Sequence, residues 1–237
     1  MSRAELLYAL AAAGANILGA VAVVTRAQWS LRVLDYLLSL AAGFLISVSV
    51  LELFPEAVAR GGANGATVIL VAYLLVHITQ HTLGRHFHFG EETHEVSEIV
   101  SVSALLGLLL HTFADGVAVA SGLRVSERLG ALVFAAVLLH KFPEGLAISS
   151  LFLAAGASRA RALLAATALG VATILGVLLT DQLAFLREYG LAMAAGVTLY
   201  VGASNLVPEF QAKRGWGVPL TFLLGCGLYF AARSLAR

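Results

Sequence analysis

The chain has 237 residues, 59% of them hydrophobic and only 12% charged, with a formal net charge of +1. Soluble domains carry about 25% charged residues, so an ordinary water-soluble fold is excluded. Nucleic acid is not an expected partner; a lipid bilayer is.

Apolar runs of about 17–25 residues, enough to cross a hydrocarbon core of about 30 Å, occur at residues 4–24, 33–54, 66–84, 98–121, 129–153, 160–180, 190–208 and 216–234. In lipid each run must satisfy its own backbone hydrogen bonds, so helices are expected rather than barrel strands. The expected fold is an all-α, multi-pass integral membrane protein with eight transmembrane helices, forming one transmembrane domain over residues 1–237. The first run lacks the basic start and cleavage site of a signal peptide and is expected to stay as a helix, and no appended soluble domain is expected. Glycine is abundant at 23 residues, and Gly116, Gly122, Gly145, Gly170 and Gly176 fall within or beside spans, where close helix packing explains them.

The second run ends in LELFPE, residues 51–56, and places Glu52 near a helix end, as a lining residue of a pathway or a plain interfacial carboxylate. The third carries His77 and His81 at i, i+4, on one helix face. They extend an exit route or sit as interfacial polar residues. The break that follows, at about residues 84–97, contains GRHFHFGEETHE, with His86, His88 and His94 among three glutamates. Such a loop holds metal weakly or is simply solvated.

The fourth and fifth runs contain the residues that lipid should exclude. LLHTFADGVAVA places His111 and Asp115 in one, and LLHKFPEGLAIS places His140, Lys141, Pro143 and Glu144 in the next. Ionisable groups inside spans are costly and mark pathways or bound ions. Each His–carboxylate pair is at i, i+4, so a hairpin of the two helices can aim four ligands at one point. A structural hydrogen bond between helices accounts for one such pair; H-x-x-x-[DE]-G in two successive spans argues for more. Two imidazoles and two carboxylates suit a borderline divalent cation such as Zn²⁺, with Fe²⁺, Mn²⁺ or Cd²⁺ able to use the same set. Pro143 removes a backbone hydrogen bond and is expected to open the helix near His140. The last run holds the lone cysteine, Cys226, which excludes an intramolecular disulfide and a cysteine-based metal centre.

Lys and Arg in the odd-numbered loops outnumber those in the even-numbered ones, seven to four with the termini left out. The positive-inside rule then puts the odd loops in the cytoplasm and both termini outside it.

The motifs His111-Thr112-Phe113-Ala114-Asp115-Gly116 and His140-Lys141-Phe142-Pro143-Glu144-Gly145 resemble those of the ZIP (Zrt/Irt-like protein) family of divalent-metal transporters, H-N-x-x-[DE]-G and [HQ]-x-x-P-[EH]-G. Eight spans and a histidine-bearing loop between the third and fourth match as well. The resemblance implies inverted three-helix repeats, spans 1–3 and 6–8, around spans 4 and 5. LELFPE closing span two and SNLVPE (204–209) closing span seven are a trace of that symmetry. It further implies metal import toward the cytoplasm by an elevator movement, zinc as transported substrate, a bacterial-type inner membrane location and a homodimer as one state.

Family members with two metals carry Asn after the first His, an acidic residue after the second and Glu on span six. Here those positions hold Thr112, Lys141 and Thr173. A lysine ammonium there repels a second dication, so a mononuclear site is expected, with Lys141 in place of the second ion. Some ZIP branches carry this His-Lys-x-Pro form. Two carboxylates and one ammonium give the site a formal charge of −1 empty and +1 with M²⁺, so protonation is expected to accompany transport. An intramembrane zinc hydrolase is the alternative, but it needs an open coordination position and a separate general base. A haem carrier is disfavoured by carboxylates one turn from each histidine, and ATP-driven transport by the lack of a G-x-x-x-x-G-K-[ST] stretch. No organic cofactor is expected.

Overall fold

A computed structural model describes residues 2–25, 31–83, 98–211 and 215–235, and among these every regular element is a helix. The helices are α1 (Arg3–Thr25), α2 (Leu31–Val48), α3 (Phe54–Leu83), α4 (Glu98–Val125), α5 (Glu127–Ala154), α6 (Arg159–Gln182), α7 (Ala184–Tyr200), α8 (Val207–Gln211) and α9 (Gly217–Leu235). Single π-helical turns, Ser49–Leu53 and Val201–Leu206, join α2 to α3 and α7 to α8. The expected histidine loop, with His86, His88 and His94, lies outside the described residues, as does the side chain of His81.

Six helical segments among the described residues are long and apolar enough to cross a membrane: α1, the stretch Arg32–Gln80, α4, α5, α6 and α9. Their outward positions carry large apolar side chains, such as Leu7, Leu10 and Leu18 of α1 and Leu220, Leu223 and Leu224 of α9. In water these would form a large exposed patch, whereas lipid accepts them. The chain is therefore a multi-pass integral membrane protein.

The stretch Arg32–Gln80 corrects the expected boundary between the second and third runs. Its 49 residues would extend about 74 Å at 1.5 Å per residue, more than twice the hydrocarbon thickness. It does not run straight. Gly62 has φ 53° and ψ −138°, a backbone state that side chains with a Cβ rarely adopt, and it interrupts the helix. A Cβ on Gly65 would lie 2.5 Å from the Ala57 carbonyl oxygen, although residues eight apart in a straight helix are about 12 Å apart. The chain folds back there on glycine alone. In the seventh run the α-helix Ala184–Tyr200 has 17 residues, but the π-turn and α8 carry the helical path on to Gln211, past the expected end at 208.

Pro143 does not open its helix. It lies inside a continuous α5. The irregular turns are instead at the two Leu-x-Pro sequences, each ending two residues before a proline, Pro55 or Pro208. In both, the amide just past the turn reaches a carbonyl five residues back, Phe54 to Ser49 and Val207 to Gly202. The wider turn accommodates the ring and missing donor that a proline brings to a helix.

Helix packing follows a paired pattern. α1 packs on α5 and α6, and α4 packs on α6 and α5; α3 packs on α7, and α2 on α9. Small residues set the approach. Gly19 of α1 abuts the Phe142 carbonyl of α5 and Gly145 abuts the Asn16 carbonyl of α1, while Gly176 of α6 abuts Phe113 of α4 and Gly116 abuts Thr173 of α6. The second group repeats the device, with Gly43 and Gly225 at the α2–α9 contact and Gly196 of α7 against Ile69 of α3. A Cβ at any of these positions would collide with backbone, so each glycine lets two helices meet more closely than larger residues permit. Hydrogen bonds reinforce the second group: Ser39 to the Val218 carbonyl (2.7 Å), Ser49 to the Ala195 carbonyl (3.0 Å) and Tyr73 with Ser204 (2.8 Å).

Candidate metal centre

The connection between α4 and α5 places the polar residues. Only Ser126 separates the two helices, and its hydroxyl caps α5 by accepting from the Leu129 amide at 3.1 Å. With so short a joint the helices return side by side, and the two H-x-x-x-[DE] sequences fall at one level. His111 and Asp115 from α4 meet His140, Lys141 and Glu144 from α5, and all five are buried. One ligand atom from each of His111, Asp115, His140 and Glu144 lies within 4.8 Å of the others.

Asp115 Oδ2 is the hub. His111 Nε2 lies 3.3 Å from it, His140 Nε2 3.2 Å and Lys141 Nζ 2.7 Å. Around a tetrahedral zinc with bonds of about 2.0–2.1 Å, neighbouring ligand atoms are about 3.3–3.4 Å apart. The two histidine–carboxylate separations already match such an edge. His140 Nδ1 lies 2.9 Å from the Ala136 carbonyl, so its N–H donates there and the Nε2 lone pair faces the cluster, as in metal-binding histidines held by an outer partner. The rings of His111 and His140 sit 5.5 Å apart.

Lys141 is fully buried and reaches Glu144 Oε2 at 2.8 Å as well as Asp115, so it does not extend to an interface. Two buried carboxylates without a countercharge would be severely destabilising, and the ammonium bridges both. The other oxygen of Glu144, Oε1, has no partner, and neither has His111 Nδ1. Glu144 thus keeps one oxygen for a further interaction.

The remaining candidates divide. Thr112 is fully buried but donates to the Leu108 carbonyl of its own helix at 2.7 Å. Thr173 is fully buried on α6, its carbonyl against Gly116 beside Asp115, and its hydroxyl donates to Leu169 at 3.3 Å. Neither hydroxyl supplies a charged ligand. His77 packs its ring on Tyr200 of α7 (5.8 Å between centroids) and is not part of the cluster.

Glu52 belongs to a second polar knot. Its Oε1 accepts from the Tyr229 hydroxyl at 2.8 Å, Arg233 Nε at 3.1 Å and Arg128 Nη2 at 3.2 Å. It therefore ties the first π-turn to α9 and to the start of α5. On the neighbouring ends, Arg124 of α4 pairs with Asp181 and donates to the Thr180 carbonyl of α6. Neither knot is legible in the sequence beyond Glu52 itself, because the members lie at helix ends where charges are ordinary. Asn16 is fully buried on α1 with both side-chain polar atoms unpartnered. Its one signal in the sequence is a carboxamide in an otherwise apolar run.

No curated protein matches the chain. Residues 77–231, well over half of its length, match the family described as ZIP Zinc transporter, and that match includes the whole of α4 to α8 and the buried cluster. The chain belongs to this family of membrane metal transporters, which are not enzymes.

Proposed function

We propose that the chain carries zinc, and related divalent cations, toward the cytoplasm through a single-ion site formed by His111, Asp115, His140 and Glu144. Membership of the family implies transport of divalent metals such as zinc. The observation that carries the finer reading is the meeting of two imidazole nitrogens on one aspartate oxygen at 3.2 and 3.3 Å, with a fourth ligand within 4.8 Å, inside the bundle. Lys141 supplies the fixed positive charge that would otherwise come from a second ion. Its contacts of 2.7 and 2.8 Å with the two carboxylates support that role, and Thr112 and Thr173 offer a second ion no charge.

In this reading residues 1–237 form one domain of eight crossings. The reversal at Gly62 divides Arg32–Gln80 into two of them, and the helical path from Ala184 to Gln211 is another. Matching contacts support the inverted repeat: α1 on α5 corresponds to α6 on α4, and α3 on α7 corresponds to α9 on α2. The π-turns before Pro55 and Pro208 occupy equivalent places. The group α1, α4, α5 and α6 carries the ion and slides against the group α2, α3, α7 and α9, with both termini outside the cytoplasm.

Metal content tests the site. Purified wild type dialysed against buffered zinc should hold one ion per chain, bound by nitrogen and oxygen in its X-ray absorption spectrum. His111→Ala and His140→Ala should each lose it. Two tightly bound ions, or retention of the ion by both variants, would refute the single-ion site.

A further inference from the structure

The face of α1 that enters the group of α4, α5 and α6 is built of small residues, Ala9, Ala12, Ala13, Gly19 and Ala20, apart from Glu5 near the helix start and one residue in its middle. Asn16 lies on the same stripe at 0% exposure, and neither Oδ1 nor Nδ2 has a hydrogen-bond partner. A carboxamide removed from water without partners is strongly unfavourable. An alanine would pack there as its neighbours do, so the carboxamide calls for a ligand.

Its level in the bundle is fixed by the backbone. The carbonyl and Cα of Asn16 lie against Gly145, the residue directly after Glu144. Glu144 is itself buried, with Oε2 held by Lys141 and Oε1 unpartnered. On the other side of the bundle the same relation recurs, where the carbonyl of Thr173 lies against Gly116, directly after Asp115. Asn16 on α1 is the counterpart of Thr173 on α6. Unpartnered polar atoms at one level on two touching helices are expected to share a partner, since buried polar groups almost always have one.

We propose that Asn16 is a further residue of the metal site, reaching the transported dication from α1. Its Oδ1 supplies an oxygen to the ion, directly or through one ion-bound water, and its Nδ2–H, unpartnered as Oε1 of Glu144 is, donates to that oxygen once the ion draws the two groups together. The proposal rests on the His–carboxylate cluster being the cargo site. It adds a third helix to that site and a neutral ligand, which leaves the formal charge at −1 and so binds without trapping the ion. A carboxamide oxygen is a hard donor. Its contribution should be largest for Mn²⁺, intermediate for Zn²⁺ and smallest for the softer Cd²⁺.

The test compares dissociation constants for Mn²⁺, Zn²⁺ and Cd²⁺ in the full-length purified protein, by competition with a fluorescent chelator. Wild type, Asn16→Leu, Asn16→Asp and His140→Ala are measured together. Asn16→Leu should weaken Mn²⁺ binding about 10–100-fold, the range for loss of a supporting ligand, and Cd²⁺ binding much less. Asn16→Asp, nearly isosteric, should tighten Mn²⁺ binding and guards against a folding defect in the leucine variant. Unchanged affinities in both Asn16 variants, with His140→Ala defective, would overturn this proposal and leave the cluster standing. An equal loss for all three ions in Asn16→Leu would also overturn it, because that reports a shifted α1–α5 contact rather than a lost ligand. Wild-type binding by His140→Ala would overturn both the cluster and the place of Asn16 in it.

Discussion

Lys141→Met removes the buried ammonium of the site and keeps a side chain of similar length. The lysine Nζ holds Asp115 at 2.7 Å and Glu144 at 2.8 Å, in a site where all three side chains are almost fully enclosed. Removing one partner of a buried ion pair costs about 3–5 kcal/mol, because a charge is left uncompensated. For a chain of this size, each kcal/mol lowers the melting temperature by about 2–4 °C, so the metal-free variant should melt roughly 6–20 °C below wild type. Zinc changes the comparison. A dication returns the positive charge that the lysine supplied, leaving the variant site formally neutral where the wild-type site is +1. Ligand binding to the folded state alone stabilises it in proportion to affinity, so saturating zinc should raise the variant's melting temperature more than wild type's and largely close the gap. The assay is thermal unfolding of detergent-purified protein in chelator and in buffered zinc. Equal melting temperatures in chelator, or a gap that persists unchanged in zinc, would refute the role given to Lys141.

Two further outcomes follow from packing and from the ion network. Gly176→Ala places a methyl against the Phe113 carbonyl and 3.0 Å from Gly116 Cα; overpacking of this kind should cost about 1–3 kcal/mol, read as a lower melting temperature, whereas Gly14→Ala, with nothing within 4 Å, should be neutral. Glu52→Gln loosens contacts to Tyr229, Arg233 and Arg128 at 2.8–3.2 Å. Since both arginines are partly exposed and glutamine keeps an acceptor for the buried Tyr229 hydroxyl, the stability loss should be below about 1 kcal/mol, and zinc affinity should stay within about twofold because Glu52 is outside the buried cluster; a much larger affinity loss would put Glu52 in the ion's binding site.

Much of this architecture was legible from residue order. The apolar runs located most of the helices, and the paired H-x-x-x-[DE]-G sequences located the cluster, because an i, i+4 pair on each of two adjacent helices leaves few other arrangements. The glycines named from the sequence do sit at close contacts: Gly116 with Gly176, Gly145 with Asn16, Gly170 with Ala13 and Gly122 with Gly130. Proline was the less reliable guide. Pro55, Pro143 and Pro208 look alike in the sequence, yet their tertiary settings differ: Ser49 and Ser204 in the two π-turns bond to Ala195 of α7 and Tyr73 of α3, while Pro143 lies in a continuous α5 packed on α1 and α4. Asn16 was hidden for another reason. Its isolation depends on what surrounds it in space, and a single amide in an alanine-rich run does not announce a missing partner.

Zinc entry into proteoliposomes with a trapped zinc-sensitive dye tests the central claim most directly, with wild type compared against Glu144→Gln and His140→Ala. The account predicts saturable entry for wild type and its loss in both variants, each reconstituted to the same level. Wild-type rates in both variants would contradict it, since the ion would then cross without using the cluster on α4 and α5.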